Sequence, residues 1–213
     1  MQLKLPTLAA ALAALLVSPV VSAQDWTIKV GVIRYDTHSK TTGIKGIGIP
    51  PGADAETGDS TTALLLIERR FTPNISAELA LGIPPTVRAK ATGSVAFLGD
   101  NVLSAKNVAP TLMVNYNFGD EAQTLRPYIG AGINYTTFRS IKSTLAPKVE
   151  MSDSTGLALQ AGIHYAFSKQ MGMYASVARV DVKTDVVATA STVLTTTIDF
   201  RPITYSVGLT FKF

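Results

Sequence analysis

Lipases and acyltransferases need a histidine that activates a serine or a carbonyl, and this chain offers two histidines, His38 and His164. Asp153 and Ser154 lie about ten residues before His164, which on an extended strand is roughly 30 Å, so the three cannot converge. His38 falls in a glycine-rich connection where nothing marks a nucleophile for it. The absence of cysteine excludes a thiolate metal site and a disulfide framework. No carboxylate cluster has metal-ligand spacing, and the glycine-rich stretch after Thr37 is not followed by a helix able to bind phosphate. An interior His164 and a loop His38 are the better readings. No enzyme activity, catalytic residue, metal or cofactor is expected.

The bulk composition points to a different environment for these residues. Of 213 residues, 46% are hydrophobic and only 16% are charged, and the formal net charge is +4. An average soluble domain carries roughly 25% charged residues, so the chain leans towards membrane or secreted proteins. Its positive charge is scattered, with no basic stripe and no interleaved aromatics, which sets nucleic acid aside. Residues 1–4 are positively charged and residues 5–17 are apolar, Pro19 breaks the run, and Val21-Ser22-Ala23 supplies small residues. This is the anatomy of a cleaved secretory signal over residues 1–23, because about 13 apolar residues fall short of the roughly 20 needed to span a bilayer. The remainder, 24–213, is read as one domain. No later segment approaches a spanning helix, so a membrane form would have to cross as strands.

The mature chain breaks into eight alternating segments, 26–33, 61–71, 75–83, 111–118, 127–138, 156–167, 171–183 and 202–213. The last is the clearest: Ile203, Tyr205, Val207, Leu209, Phe211 and Phe213 share one face, and Thr204, Ser206, Gly208, Thr210 and Lys212 share the other. The connections alternate long and short, which places four long loops at one end and three tight turns at the other. The fold class expected is therefore all-β, an eight-stranded antiparallel transmembrane β-barrel with long extracellular loops and short periplasmic turns. A soluble eight-stranded ligand carrier is the rival architecture. The regular apolar face argues against it, with bulky aliphatics along the strands and Trp26, Phe71, Phe118, Phe167, Phe211 and Phe213 gathered at the short-turn end. The opposite face, rich in Gly, Ala, Ser, Thr and Asn, is sized to fill a narrow barrel.

Phasing each strand by its apolar face assigns the lumen. Lys29, Glu68, Arg70, Glu78 and Lys212 point inward near the short turns, where three cations and two carboxylates can pair into a polar floor. Nearer the long loops the inward set is Ile33, Tyr35, Leu64, Leu66, Met113, Phe138, Val180 and Val182, an apolar upper lumen. A lumen apolar above and ionic below suits a solute that comes from the loop side and leaves sideways. Proline donates no ladder hydrogen bond, so Pro84 and Pro85 at the end of the third strand and Pro110 at the start of the fourth can form a lateral gate, or can simply terminate strands at the rim. Ile44, Ile47 and Ile49 in the first loop, with Val186, Val187, Val193 and Leu194 in the last, either line an apolar mouth or pack loops on one another. Arg179 and Asp181 fall on the outward face of the seventh strand, where a charge is tolerated near the headgroups.

The run Arg126-Pro127-Tyr128-Ile129-Gly130-Ala131-Gly132-Ile133-Asn134-Tyr135-Thr136-Thr137-Phe138 resembles the signature of the outer-membrane protein W family, which includes alkane-uptake porins. Pro110-Thr111-Leu112-Met113 leading to Phe118-Gly119-Asp120, then Asp153-Ser154 with Gly156, and the aromatic end of the last strand match as well. The first loop and the second half of the fourth connection do not align. The resemblance implies a monomeric eight-stranded barrel in the cell outer membrane that passes small hydrophobic molecules. Its partners would be outer-membrane lipid and lipopolysaccharide, a small hydrophobic ligand and, through a terminal aromatic such as Phe213, the barrel-assembly machinery. The alternative is a plugged barrel whose loops bind a partner or serve envelope structure without transport.

Overall fold

The computed structural model describes residues 25–37, 39–189 and 193–213. The proposed export signal and His38 lie outside them. In chain order the strands are β1 (Trp26–Asp36), β2 (Lys40–Thr41), β3 (Ala53–Thr57), β4 (Ser60–Arg70), β5 (Ile75–Gly82), β6 (Thr86–Gly93), β7 (Leu103–Val108), β8 (Thr111–Asn117), β9 (Leu125–Ser143), β10 (Lys148–Met151), β11 (Ser154–Ala166), β12 (Met171–Val180), β13 (Val182–Thr189), β14 (Val193–Phe200) and β15 (Ile203–Lys212). Eight of them, β1, β4, β5, β8, β9, β11, β12 and β15, pair in antiparallel order, and pairing of β9 with β11 and of β15 with β1 closes the ring. The first and last strands meet in register from Thr27↔Lys212 to Asp36↔Ile203, so no free edge remains in the wall.

Facing follows the period of two. Val32, Ile133 and Leu157 are 51%, 54% and 67% exposed, as are their neighbours Leu159, Val177, Tyr205 and Val207 to similar degrees, and together they make a continuous apolar outer surface. In water such a surface would be untenable; in lipid it is the solvent-matched face. The intervening positions, among them Lys29, Ser76, Glu78, Asn115 and Thr136, are fully buried. Phe71, Phe118 and Phe167 border the short turns, with Tyr116 and Tyr165 edge-on to two of them.

The long connections differ from expectation. Their glycines, prolines and threonines predict irregular loops, yet most of their residues form strands. β9 runs on past the barrel for 19 residues in all and carries β7, β6 and β3 beside its upper part. A second sheet, in the order β10-β13-β14-β2, stands opposite. The alternation predicts a seventh strand over 171–183 and a threonine-rich loop after it. Its β-branched residues instead favour extended structure, and β13 alternates buried Val182, Thr184 and Val186 with exposed Lys183, Asp185 and Val187. The barrel strand itself stops at Val180, where Asp181 crosses over Gly156 so closely that a Cβ there would lie 1.6 Å from the Asp181 carbonyl oxygen.

Candidate functional site

A charged cluster lies inside the barrel, towards its short-turn end. The Nζ of Lys29, fully buried on β1, lies 2.5 Å from Glu68 Oε2 on β4 and 2.5 Å from Glu78 Oε2 on β5. His164 Nε2 on β11 stands 3.3 Å from the same nitrogen. Gln160 extends the network by donating from Nε2 to Glu78 Oε1 at 3.1 Å and to Asn115 Oδ1 at 2.6 Å. Two tyrosines cap the ammonium, with Lys29 Nζ 5.4 Å from the Tyr128 ring centre and 5.6 Å from that of Tyr174. Tyr128 also stacks on His164 with ring centres 4.7 Å apart. These rings fit because the wall is glycine where they lie: a Cβ on Gly162 would sit 2.4 Å from Tyr128 Cζ, and one on Gly31 would sit 2.9 Å from the Tyr174 hydroxyl.

Arg70 and Lys212, expected in the same floor, form a separate group at the periplasmic rim. Both bind Glu121, Lys212 Nζ at 2.5 Å, and Arg70 also reaches Asp25 at 3.5 Å. The hydrogen bond from Lys212, with the charge and hydrogen bond of Arg70, holds the Glu121 carboxyl below its usual range. Strand parity does not point to Glu121 or Asp25, because it says nothing about a turn or a strand's flank. Parity alone would have nominated Tyr128, Gln160 and Tyr174 as inward residues.

The expected apolar lumen also divides. Ile33, Leu64 and Leu66 pack with Tyr174, flanked by Tyr35 and Ala80, inside the barrel; Leu66 and Tyr174 reach down to the Lys29 cluster, and Ile33 lies above it. Phe138 and Val182, flanked by Val180, belong to a second cluster in the extracellular extension with Ala105, Val186, Ile198 and Phe200. Phe138 and Phe200 approach to 6.2 Å between ring centres. Met113 is lower than expected, paired with Glu78 on one side and Gly132 on the other, at the level of the charged cluster. Of the loop residues, Ile44 and Ile49 pack against Ala53, Ala91, Val95 and Val102, whereas Ile47 is exposed.

The three prolines border a discontinuity in the wall. β5 and β8 pair from Ile75↔Tyr116 to Ala80↔Thr111. Pairing resumes above, where Asn107 N–H donates to Pro85 O at 3.0 Å and Thr86 faces Lys106. Between these points residues 81–84 face 108–110, four against three, so the register slips by one. Among the described residues no β pairing joins the two stretches, and Ile83 N–H turns instead to Ala63 O on β4 at 3.2 Å. Pro110 has no N–H to offer. On its other side Asn134, buried on β9, donates from Nδ2 to Thr111 Oγ1 at 2.8 Å and, more distantly, to the carbonyls of Ala109 and Pro110 at 3.4 and 3.5 Å. The gap lies level with Ala80, which flanks the inner apolar cluster.

A closed eight-stranded wall with a lipid-matched exterior and this inner face is matched by one family profile, that of the OmpW family, over residues 22–213. The chain belongs to the OmpW family. Outer membrane protein W of Vibrio cholerae serotype O1 is 30% identical over 217 residues, covering 96% of each chain. The dibenzothiophene metabolism operon protein PahQ of Pseudomonas aeruginosa is 24% identical over 163 residues, 75% of this chain and 74% of that one. The crystal structure of the outer membrane protein OprG from Pseudomonas aeruginosa superposes with a TM-score of 0.82 at 24% identity, covering 89% of this chain and 96% of that one, and shows the same fold. As an OmpW-family barrel the protein resides in the cell outer membrane. Ser154 and His164 stand near opposite ends of β11 in this fold: Ser154 Oγ accepts from Lys183 N–H at 2.9 Å, and His164 belongs to the charged cluster.

Proposed function

We propose that the protein admits small hydrophobic molecules from the cell surface and releases them sideways into the outer leaflet, without opening a route to the periplasm. The observation that carries this reading is the unpaired wall at Pro84, Pro85 and Pro110, which lies beside Ala80 and the apolar residues Ile33, Leu64 and Leu66 and above the Lys29 cluster. A solute descending the barrel meets apolar side chains first and a dry charged network next. Crossing that network would strip charged groups of their partners, at several kcal/mol per ion, whereas the broken ladder presents no hydrogen bonds to be displaced. The relationship to PahQ, named for dibenzothiophene metabolism, is consistent with an apolar aromatic or aliphatic solute. The way in runs between the two extracellular sheets, whose residues Phe138, Val182, Val186, Ile198 and Phe200 pack together and must part to admit it.

That packing favours a second reading, a plugged barrel without transport. Uptake of an apolar fluorescent probe into proteoliposome membranes separates the two. Replacing Pro84, Pro85 and Pro110 together by valine, which can complete the ladder, is expected to reduce uptake strongly in a variant that retains heat-modifiable migration on a gel. Unchanged uptake removes the lateral exit, and no protein-dependent uptake at all in the wild type supports the plugged barrel. Within the same reading, residues 1–23 direct export and are removed, Phe213 is presented to the barrel-assembly machinery, and the folded barrel acts as a monomer.

A further inference from the structure

On β12 the outward positions run Met171, Met173, Ala175, Val177 and then Arg179. The apolar band ends there, level with the lipid-facing Leu159 on β11. An outward cation is costly at the bilayer midplane, about 2–4 kcal/mol, and costs about 0–1 near the interface, so Arg179 marks the height at which headgroups begin. Just above it a groove of about 360 Å³ opens on the outer wall, lined by Arg179, Asp181, Lys183, Asp199 and Arg201. Its shape comes from the departure of the chain at Asp181: the residue leaves the barrel across Gly156, where there is no side chain, and its N–H donates to Leu157 O at 2.9 Å. From that crossing β13 and β14 rise into the second extracellular sheet.

The charges in the groove are held in place by one another. Asp199 Oδ2 accepts from both Nη2 and Nε of Arg201, at 2.7 and 3.2 Å, and Lys183 Nζ lies 4.0 Å from the same oxygen. Arg179 Nε stands 3.7 Å from Asp181 Oδ1, an ion pair too long for a hydrogen bond. Three cations against two carboxylates leave the groove net positive. A guanidinium has five N–H donors, so the two that Arg201 gives Asp199 orient it and leave capacity in its fork.

We propose that this groove binds a phosphate group of an outer-leaflet glycolipid, with Arg179, Lys183 and Arg201 as its ligands and the lipid's acyl chains lying along Leu159 and Val177 below. The arrangement answers both halves of such a molecule: forked cations suit a phosphate, and the wall directly beneath suits hydrocarbon. The site depends on outer-membrane placement and not on passage of apolar solutes, so it stands or falls independently of the lateral exit.

The test folds the full barrel into phosphatidylcholine vesicles doped with a bisphosphorylated disaccharide lipid or with its dephosphorylated counterpart, extracts it in mild detergent and counts retained glycolipid by native mass spectrometry. The wild type is expected to retain the phosphorylated lipid about tenfold more than the dephosphorylated one. R179Q/K183Q/R201Q should reduce retention to the dephosphorylated level, and R179Q alone should reduce it in part. R88Q/K106Q/K142Q, which removes the same charge from the other extracellular sheet, should retain as the wild type does. Equal retention by the groove variant and the wild type overturns the proposal, as does equal retention of the two lipids. Displacement of the glycolipid by inorganic phosphate at matched concentration would show that the groove takes a free anion, and would overturn the glycolipid assignment.

Discussion

Replacing Lys29 by methionine removes the ammonium that pairs with two carboxylates, Glu68 and Glu78, that are 8% and 1% exposed. Breaking a buried ion pair by deleting one partner costs about 3–5 kcal/mol, because the remaining charge is left without compensation. Here two charges are left. Each can escape by taking up a proton, which at pH 7 costs about 3.7 kcal/mol for a group with the ordinary glutamate pKa of about 4.3, at 1.36 kcal/mol per unit. The penalty should therefore fall between about 3 and 7 kcal/mol. The folded variant would hold protons that the unfolded chain releases, so its stability relative to the wild type rises as pH falls, by up to about 1.4 kcal/mol per pH unit for each proton taken up. The assay is denaturant unfolding in phospholipid vesicles, followed by the gel-migration difference between folded and unfolded barrel, at pH 8, 7 and 6. Lys29→Met should be destabilised most at pH 8, and Lys29→Met/Glu68→Gln/Glu78→Gln should recover most of the loss, since replacing a whole buried ion cluster by neutral groups is often harmless. Equal stability of Lys29→Met and wild type, or a gap that does not change with pH, would refute the reading of the cluster as a dry barrier and show it solvated.

Three further substitutions probe the rim, the glycine wall and the extracellular cluster. Glu121→Gln at the half-exposed rim should cost only about 0.2–1 kcal/mol, and because the Glu121 carboxyl is held below its usual range the contribution should be present above about pH 4.3 and fade as pH falls through the lowered value, which the same unfolding series at pH 7 and pH 3 would read. Gly162→Ala should destabilise by about 1–3 kcal/mol, because the new methyl would meet both the Tyr128 ring and the Ala175 carbonyl oxygen 2.7 Å away; an unchanged unfolding midpoint would mean the ring can swing aside. Phe200→Ala, which hollows the extracellular cluster, should raise probe uptake while lowering the stability of the extension by about 3–5 kcal/mol; a stable, folded variant with unchanged uptake would place the route elsewhere.

The barrel was legible because each of its strands faces two different solvents, so a period of two recorded both inside and outside, as the row Ile203 to Leu209 on β15 shows. The extracellular sheets were not legible. Above the membrane the outside is water, and a run such as Val193–Phe200 with Thr195, Thr196 and Thr197 in it satisfies both a strand and a loop. Facing predicted that Lys29, Glu68 and Glu78 point inward but not which of the five charged residues would meet, since strand stagger sets their heights. Arg70 and Lys212 lie a few residues nearer the strand ends and found Glu121 instead. Asn134 stood in plain view within Arg126–Phe138, yet its amide matters only because the Ala109–Pro110 segment lies opposite, a neighbour that the local sequence does not reveal.

β9 has one further consequence. Nineteen residues at about 3.4 Å each make a strand about 65 Å long, roughly 50 Å in height at the usual tilt, against an apolar band of about 25 Å. A single ribbon, bulged at Ser140, thus joins the bilayer to a tower that stands clear of the headgroups. Whatever presses on that tower, whether a surface polymer, a bound particle or a neighbouring barrel, pushes on a lever whose lower arm holds Asn134 and the edge of the gap. The protein carries mechanical continuity from the cell surface to the seam in its own wall.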